Sequence, residues 1–156
     1  MGNINHEQVL IDAYWKHIKT NQLRLINKKC RSKDYSDLEY IDIENNIRWR
    51  IEAKSHMSKD RHNAVHKLFG ELLKETGRLF SSENELKYGL LLDGRYCPDI
   101  NISGKDFFEK YFKCINTEKY KKFGLLIPIN DIIVYDVNMN NVKNYNWNSF
   151  IGEKDD

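Results

Sequence analysis

The clearest alternation of apolar and polar positions runs from Ile47 to Lys54, where Ile47, Trp49, Ile51 and Ala53 interleave with Arg48, Arg50, Glu52 and Lys54. A period of two marks a strand with one face toward a core. The stretch ahead of it, from Tyr35, reads as a partner strand. Asn45-Asn46 suits a two-residue hairpin turn, since Asn tolerates positive φ. With Glu44 and Ile47 flanking that turn, Asp37 comes opposite Lys54 and Glu39 opposite Glu52. Residues 5–20 carry helical spacing, with Asn5 as cap, Gln8 three residues on, and either Val9, Ala13 and Ile18 or Leu10, Tyr14 and Ile18 as the apolar stripe. Residues 22–26 give a short first strand. From Asp60 to Thr76, Val65, Leu68, Phe69, Leu72 and Leu73 recur at steps of three and four, with Gly77 where a C-cap glycine belongs. A polar connection from Arg78 leads to Tyr88–Asp93, an apolar run typical of a strand covered on both faces. Residues 105–122 read as a second helical region with an aromatic stripe (Phe107, Phe108, Tyr111, Phe112 and Ile115), which at that spacing marks core. Gly124–Ile127 and Ile132–Asp136 read as closing strands, and the Asn-rich stretch from Asn138 as loop or a short element.

A hairpin, a helix, a buried strand and further helix predict an α/β protein, a three-layer α/β/α sandwich around a central mixed β-sheet. At 156 residues the chain fits one domain, 1–156, with a short disordered tail from about 152. Hydrophobic residues at 40% and aromatics at 12% suffice for a core. Three scattered cysteines without a Cys-x-x-Cys argue against a disulfide framework or structural zinc and for a reducing, cytoplasmic setting. No signal peptide and no long apolar run are evident, which argues against secretion and membrane spanning. A net charge of +2 is too small to identify a nucleic-acid partner, so local charge must do so.

Locally the charge is uneven. Asp37, Glu39, Glu52 and Lys54 gather at the open end of the hairpin. Clustered carboxylates repel unless a proton or a hard cation intervenes, and Mg²⁺ takes such oxygen ligands; a solvated sheet face is the plain alternative. Lys28, Lys29, Arg31 and Lys33, with Arg24 just before them, form a basic loop beside Asp37 suited to phosphate contact or to simple solvation. Glu7 shares a helical face with Leu10, Ile11 and Tyr14, and either points toward the sheet or complements the helix dipole. His62 and His66 have zinc-ligand spacing, but without an adjacent Glu or an evident third ligand they read as cleft or surface residues. Cys97-Pro98-Asp99 reads as a loop.

Asp37 followed across the hairpin by Glu52-Ala53-Lys54 resembles the pattern of the PD-(D/E)xK, or restriction-endonuclease-like, nuclease superfamily, with Ser36 in place of the usual proline. The resemblance implies a restriction-endonuclease-like fold and a Mg²⁺-dependent phosphodiesterase, with Mn²⁺ as a substitute, acting on DNA before RNA and as an endonuclease before an exonuclease. It implies Asp37, Glu52 and Lys54 as catalytic residues and Asp37, Glu52, the Ala53 carbonyl and, from the first helix, Glu7 as metal ligands. Glu39, His66 and Glu71 are accessory candidates, and Lys28, Lys29, Arg31, Lys33, Arg48 and Arg50 the phosphate contacts. A chain this size leaves little room for a recognition domain, which implies a homodimer or a targeting protein partner. The alternative is a catalytically silent nuclease-fold protein that binds nucleic acid or a protein.

Overall fold

A computed structural model describes residues 4–77, 84–127 and 129–152. Pro128, most of the polar connection from Arg78 and all of the expected tail beyond Gly152 lie outside the described residues. Along the chain come α1 (His6–Ile18), β1 (Leu23–Asn27), β2 (Leu38–Asp42), β3 (Ile47–Lys54), α2 (Arg61–Gly77), β4 (Glu85–Asp93), the short β5 (Tyr96–Cys97) and β6 (Ile102–Ser103), α3 (Gly104–Lys113), α4 (Thr117–Leu126), β7 (Asp131–Asp136), β8 (Asn141–Tyr145) and α5 (Trp147–Phe150). Six strands form one mixed sheet in the order β1-β2-β3-β4-β7-β8. The outer pairs are antiparallel, while β3–β4 and β4–β7 are parallel.

The sheet is covered on both faces, as the apolar run in β4 predicts. Leu91 faces α1, where Leu10, Ile11, Tyr14 and Trp15 pack on Leu38, Tyr40, Ile51, Ala53, Ile133 and Tyr135. Leu90 and Leu92 face the other way, into a core with Val65, Leu68, Leu72, Phe108, Phe112, Tyr120, Trp147 and Phe150. The expected three-layer α/β/α sandwich is therefore present. Because α1 lies on one face and α2 on the other, only residues at the strand ends reach side chains from both.

The hairpin differs from expectation in register. Leu38 pairs with Ile51, Glu39 with Arg50 and Asp42 with Ile47, so the loop has four residues, not two. Its geometry explains the slip. The Asp42 carboxylate accepts from the Asn45 backbone N–H (3.2 Å) and side-chain amide (2.8 Å), the Ile43 N–H bonds the Gln22 carbonyl (2.8 Å), and Asn46 alone takes a positive φ, 56°. A shift of two residues preserves which side chains share a face. Asp37, Glu39, Glu52 and Lys54 thus stay on one side, but Glu39 faces Arg50 instead of Glu52, and the next step of the ladder brings Asp37 level with Glu52 instead of Lys54.

The C-terminal half differs more. The 105–122 region is two helices, broken where Asn116 caps α4 by accepting from the Lys119 N–H (3.2 Å). Residues 124–126 belong to α4 and are not a strand: Tyr120, Phe123 and Ile127 form the inward helical stripe, and Leu125 (84% exposed) and Leu126 (73%) face out. Four consecutive apolar residues hid this periodicity. The Asn-rich segment forms edge strand β8, whose single pairing partner β7 sets its place in the sheet more than its own polar sequence does. Tyr120 and Trp147 stack at 4.4 Å and exchange two hydrogen bonds, the Tyr120 hydroxyl donating to the Trp147 carbonyl (2.7 Å) and the indole N–H to the Tyr120 carbonyl (2.8 Å).

Gly124 packs against that indole so closely that a Cβ would lie 2.3 Å from Trp147 Cδ1. Helix propensity alone favours Gly124→Ala by about 1 kcal/mol, whereas overlap with a fixed ring costs about 1–3 kcal/mol. Gly124→Ala should therefore lower the urea midpoint. A raised midpoint would contradict the α4–Trp147 packing.

Candidate active site

The carboxyl end of β3, the loop before β2 and the N-terminus of α1 enclose a cleft of about 690 Å³. Its lining is Ile4, Asn5, His6, Glu7, Arg31, Asp37, Lys54, Ser55, Ser58, Asp60, Lys67 and Glu71. At its centre is Lys54, 5% exposed although it ends a strand. Its Nζ donates to Glu71 Oε1 from α2 (2.7 Å) and lies 3.8 Å from Glu7 Oε2 of α1. Burial disfavours the ammonium, but Glu7, Glu71 and Asp37 together outweigh it and hold the Lys54 pKa above its ordinary value. Burial pushes the Glu7 carboxyl up, and so do Asp37 and Glu71, against the opposing pull of Lys54 and Arg31. The cleft thus gathers three carboxylates around one amine.

Asp37 is held from two sides. Its Oδ2 accepts from the Ala53 N–H (3.0 Å) and its Oδ1 from the Arg31 N–H (3.2 Å), with Arg31 in a left-handed conformation at φ 62°. The loop that brings Arg31 there is pinned by Gln8, whose amide donates to the Lys28 carbonyl (2.7 Å) and accepts from the Cys30 N–H (3.0 Å). Glu52 is buried on β3, a step along the strand from Ala53. Among the described residues, no three His, Cys, Asp or Glu side chains converge closely enough to be read from geometry alone as a metal cluster.

The structure divides the remaining candidates. Glu71 joins Lys54. Glu39 is fully buried and accepts from Arg48 Nε (2.6 Å) and the Ser36 N–H (3.1 Å), with Arg50 Nε at 3.5 Å, so Arg48 and Arg50 turn inward to a carboxylate instead of outward to a phosphate. His66 is exposed and bonds the Tyr111 hydroxyl (2.7 Å), outside the cleft lining. His62 stands over Phe107 and Tyr111. Lys28 pairs with Asp12 at the surface (3.5 Å), Lys29 and Lys33 are exposed, and only Arg31 of the basic loop lines the cleft. Lys67 belongs to no motif in the sequence, yet it also lines the cleft; its spacing of four from Glu71 is the signal the sequence offers.

A second polar cluster lies beside Lys54. Asp93, fully buried at the end of β4, accepts from Ser55 Oγ (2.7 Å) and from Arg95 through Nη2 (2.6 Å), Nε (3.0 Å) and the backbone N–H (3.0 Å). Burial alone would raise the Asp93 pKa, but these donors hold it below its ordinary value. In sequence Asp93 reads only as the end of the Tyr88–Asp93 strand. Next to it His56 is fully buried against Phe107 (5.7 Å between rings) and Phe108 (6.0 Å).

No protein-family model matches the chain, and no curated protein matches it. Among solved structures, the chain is similar to an fdxN element excision controlling factor protein from Anabaena variabilis, with 12% identity and a TM-score of 0.51 over 90% of this chain and 97% of that one. An XisH family protein from Nostoc punctiforme also matches, with 12% identity and a TM-score of 0.49 over 88% and 95% of the two chains. At this identity the first likeness shows a shared fold. No helix among the described residues is long and apolar enough to cross a membrane.

His56 gives this region a pH signature. Burial, with Arg95 and Arg61, lowers its pKa from 6.5 against the opposing pull of Asp93. A histidine with a depressed folded-state pKa binds more protons when unfolded, so its contribution is present above 6.5 and is lost as pH falls toward and through the folded value. His56→Leu should therefore flatten the fall in urea-unfolding free energy between neutral and mildly acidic pH. An identical pH dependence in the variant and the wild type would contradict the buried, neutral imidazole.

Proposed function

We propose that the chain is a Mg²⁺-dependent phosphodiesterase of the PD-(D/E)xK type, a DNA endonuclease whose active site is the cleft at the carboxyl end of β3. The observation that carries this reading is Lys54, buried between Glu7 and Glu71. Beside it Asp37 is fixed by the peptide N–H of Ala53, the middle residue of Glu52-Ala53-Lys54. The donor set suits Mg²⁺, because it consists of hard carboxylate oxygens in surplus over the nearby amine. Mg²⁺ commonly takes only one or two protein carboxylates and completes its shell with water and substrate phosphate, so a dense protein cage is not required. Asp37 and Glu52, with the Ala53 carbonyl and Glu7, are the proposed ligands. When bound, the ion would supply an acidified water and neutralise charge on the scissile phosphate.

The chain's own groups have distinct tasks in this account. Lys54 is kept protonated by its three carboxylate neighbours, so it acts as a donor to the attacking water or to a phosphate oxygen and not as a base. Glu71 aims the amine. Arg31 and Lys67 at the lining hold flanking phosphates, with Lys28, Lys29 and Lys33 extending the positive approach. The description of the Anabaena variabilis neighbour as an fdxN element excision controlling factor supports DNA over RNA as the substrate to test first.

The second reading is a protein of this fold that binds nucleic acid without cutting it. The direct Lys54–Glu71 bond favours it, because an amine held at 2.7 Å by a carboxylate is not free for substrate. Cleavage separates the two. Asp37→Asn and Glu52→Gln should each lower Mg²⁺-dependent cutting of duplex DNA by about a hundredfold or more. They should also abolish the thermal stabilisation that Mg²⁺ gives the wild type through binding to the folded state. Gel-shift binding of DNA by the wild type with no cutting in Mg²⁺ or Mn²⁺ would establish the second reading.

A further inference from the structure

The Asp93 cluster meets the cleft at Ser55 and, through Arg95, at His6. Arg95 Nη2 lies 3.4 Å from Nδ1 of His6, the first residue of α1, and His6 lines the cleft. A guanidinium can only donate, so Nδ1 is the acceptor and the ring proton sits on Nε2. Arg95 in turn has little freedom. Three of its N–H groups are committed to the buried Asp93 carboxylate, which Ser55 also holds. The start of α3 closes the other side: a Cβ on Gly104 would fall 1.6 Å from the Asp93 carbonyl oxygen, and the Gly104 N–H donates to the Arg95 carbonyl (3.0 Å). A turn lock between β4 and α3 needs Asp93 and Arg95 but has no use for a histidine from a helix on the opposite face of the sheet.

We propose that His6 contacts a substrate phosphate oxygen through its Nε2–H, with Arg95 and Asp93 as the positioning residues that fix the ring's tautomer and direction. The inference rests on the reading of the cleft as a nuclease site and adds to it an imidazole donor beside the cationic Arg31 and Lys67 of the lining. The donor set of His6, Arg31 and Lys67 selects a tetrahedral oxyanion on a backbone and offers nothing that reads a base edge. His6 therefore belongs to phosphate positioning, not to sequence recognition.

The test uses the full chain, ¹⁵N-labelled, with inorganic phosphate as probe at fixed neutral pH. Long-range ¹H–¹⁵N spectra, with the His6 signals assigned by their loss in His6→Ala, should show the Nε2–H tautomer and a saturable shift on adding phosphate. His6→Ala should weaken phosphate binding by about tenfold or more, the worth of a hydrogen bond to a charged acceptor, and His6→Gln, which retains an N–H donor, should recover part of the loss. Arg95→Ala should release the tautomer preference while leaving the fold intact by circular dichroism. If that variant does not fold, Arg95→Lys, which keeps a cation beside Asp93, should weaken the preference instead. A proton on Nδ1, or a ring indifferent to phosphate in a wild type that cuts DNA, overturns this inference alone. Phosphate binding at His6 in a wild type that cuts no DNA supports the contact and sinks the nuclease reading.

Discussion

A buried ammonium at the end of a strand is the constraint on which the rest of this cleft depends. Taking a charge of that size out of water costs several kcal/mol unless its partners are close and well directed. Lys54 can be buried only because α1 brings Glu7 from one face of the sheet and α2 brings Glu71 from the other. Neither helix could reach it in mid-strand. The carboxyl end of β3 is the place where residues from both outer layers and from β2 meet, and open α/β sheets bind their ligands at such ends.

Around this centre the structure spends main-chain hydrogen bonds to hold the acids still. Asp37 takes one N–H from β3 and one from the β1–β2 loop, and Gln8 ties that loop to α1 through two further backbone groups. Asp93, Ser55 and Arg95 form a parallel lock one strand over. The same fixation that serves a fold also serves chemistry, since transition-state stabilisation depends on groups that need not reorganise. Surplus carboxylate around a single amine is costly for stability alone, and a dication is the complement we propose for it.

The sequence made the sheet's centre legible because strong periodicity survives a register error. Alternation along β3 placed Glu52 and Lys54 together on the face away from Ile51 and Ala53, and a two-residue slip in the hairpin left that division intact. Helices α1 and α2 were legible from their stripes, and Glu7 from its position on the Leu10/Ile11/Tyr14 face. Arg48 and Arg50 misled because charge alone does not say whether a guanidinium faces a phosphate or a buried carboxylate such as Glu39. Gly124–Ile127 misled because an unbroken apolar run has no period, and β8 was hidden because an edge strand takes its register from its neighbour. Asp93 and Arg95 were invisible as a cluster, since their partners Ser55 and His6 are far away in sequence and only the fold brings them near.

We propose that Asp37, Glu52 and the carboxylates beside Lys54 form a cation site. A crystal grown or soaked in Mn²⁺ and measured for anomalous scattering tests it most directly. A peak is expected at Asp37, within ligand distance of it and of Glu52, which lies level with it on the neighbouring strand. Strong diffraction with no anomalous peak there, and Lys54 still seated on Glu71, would contradict it.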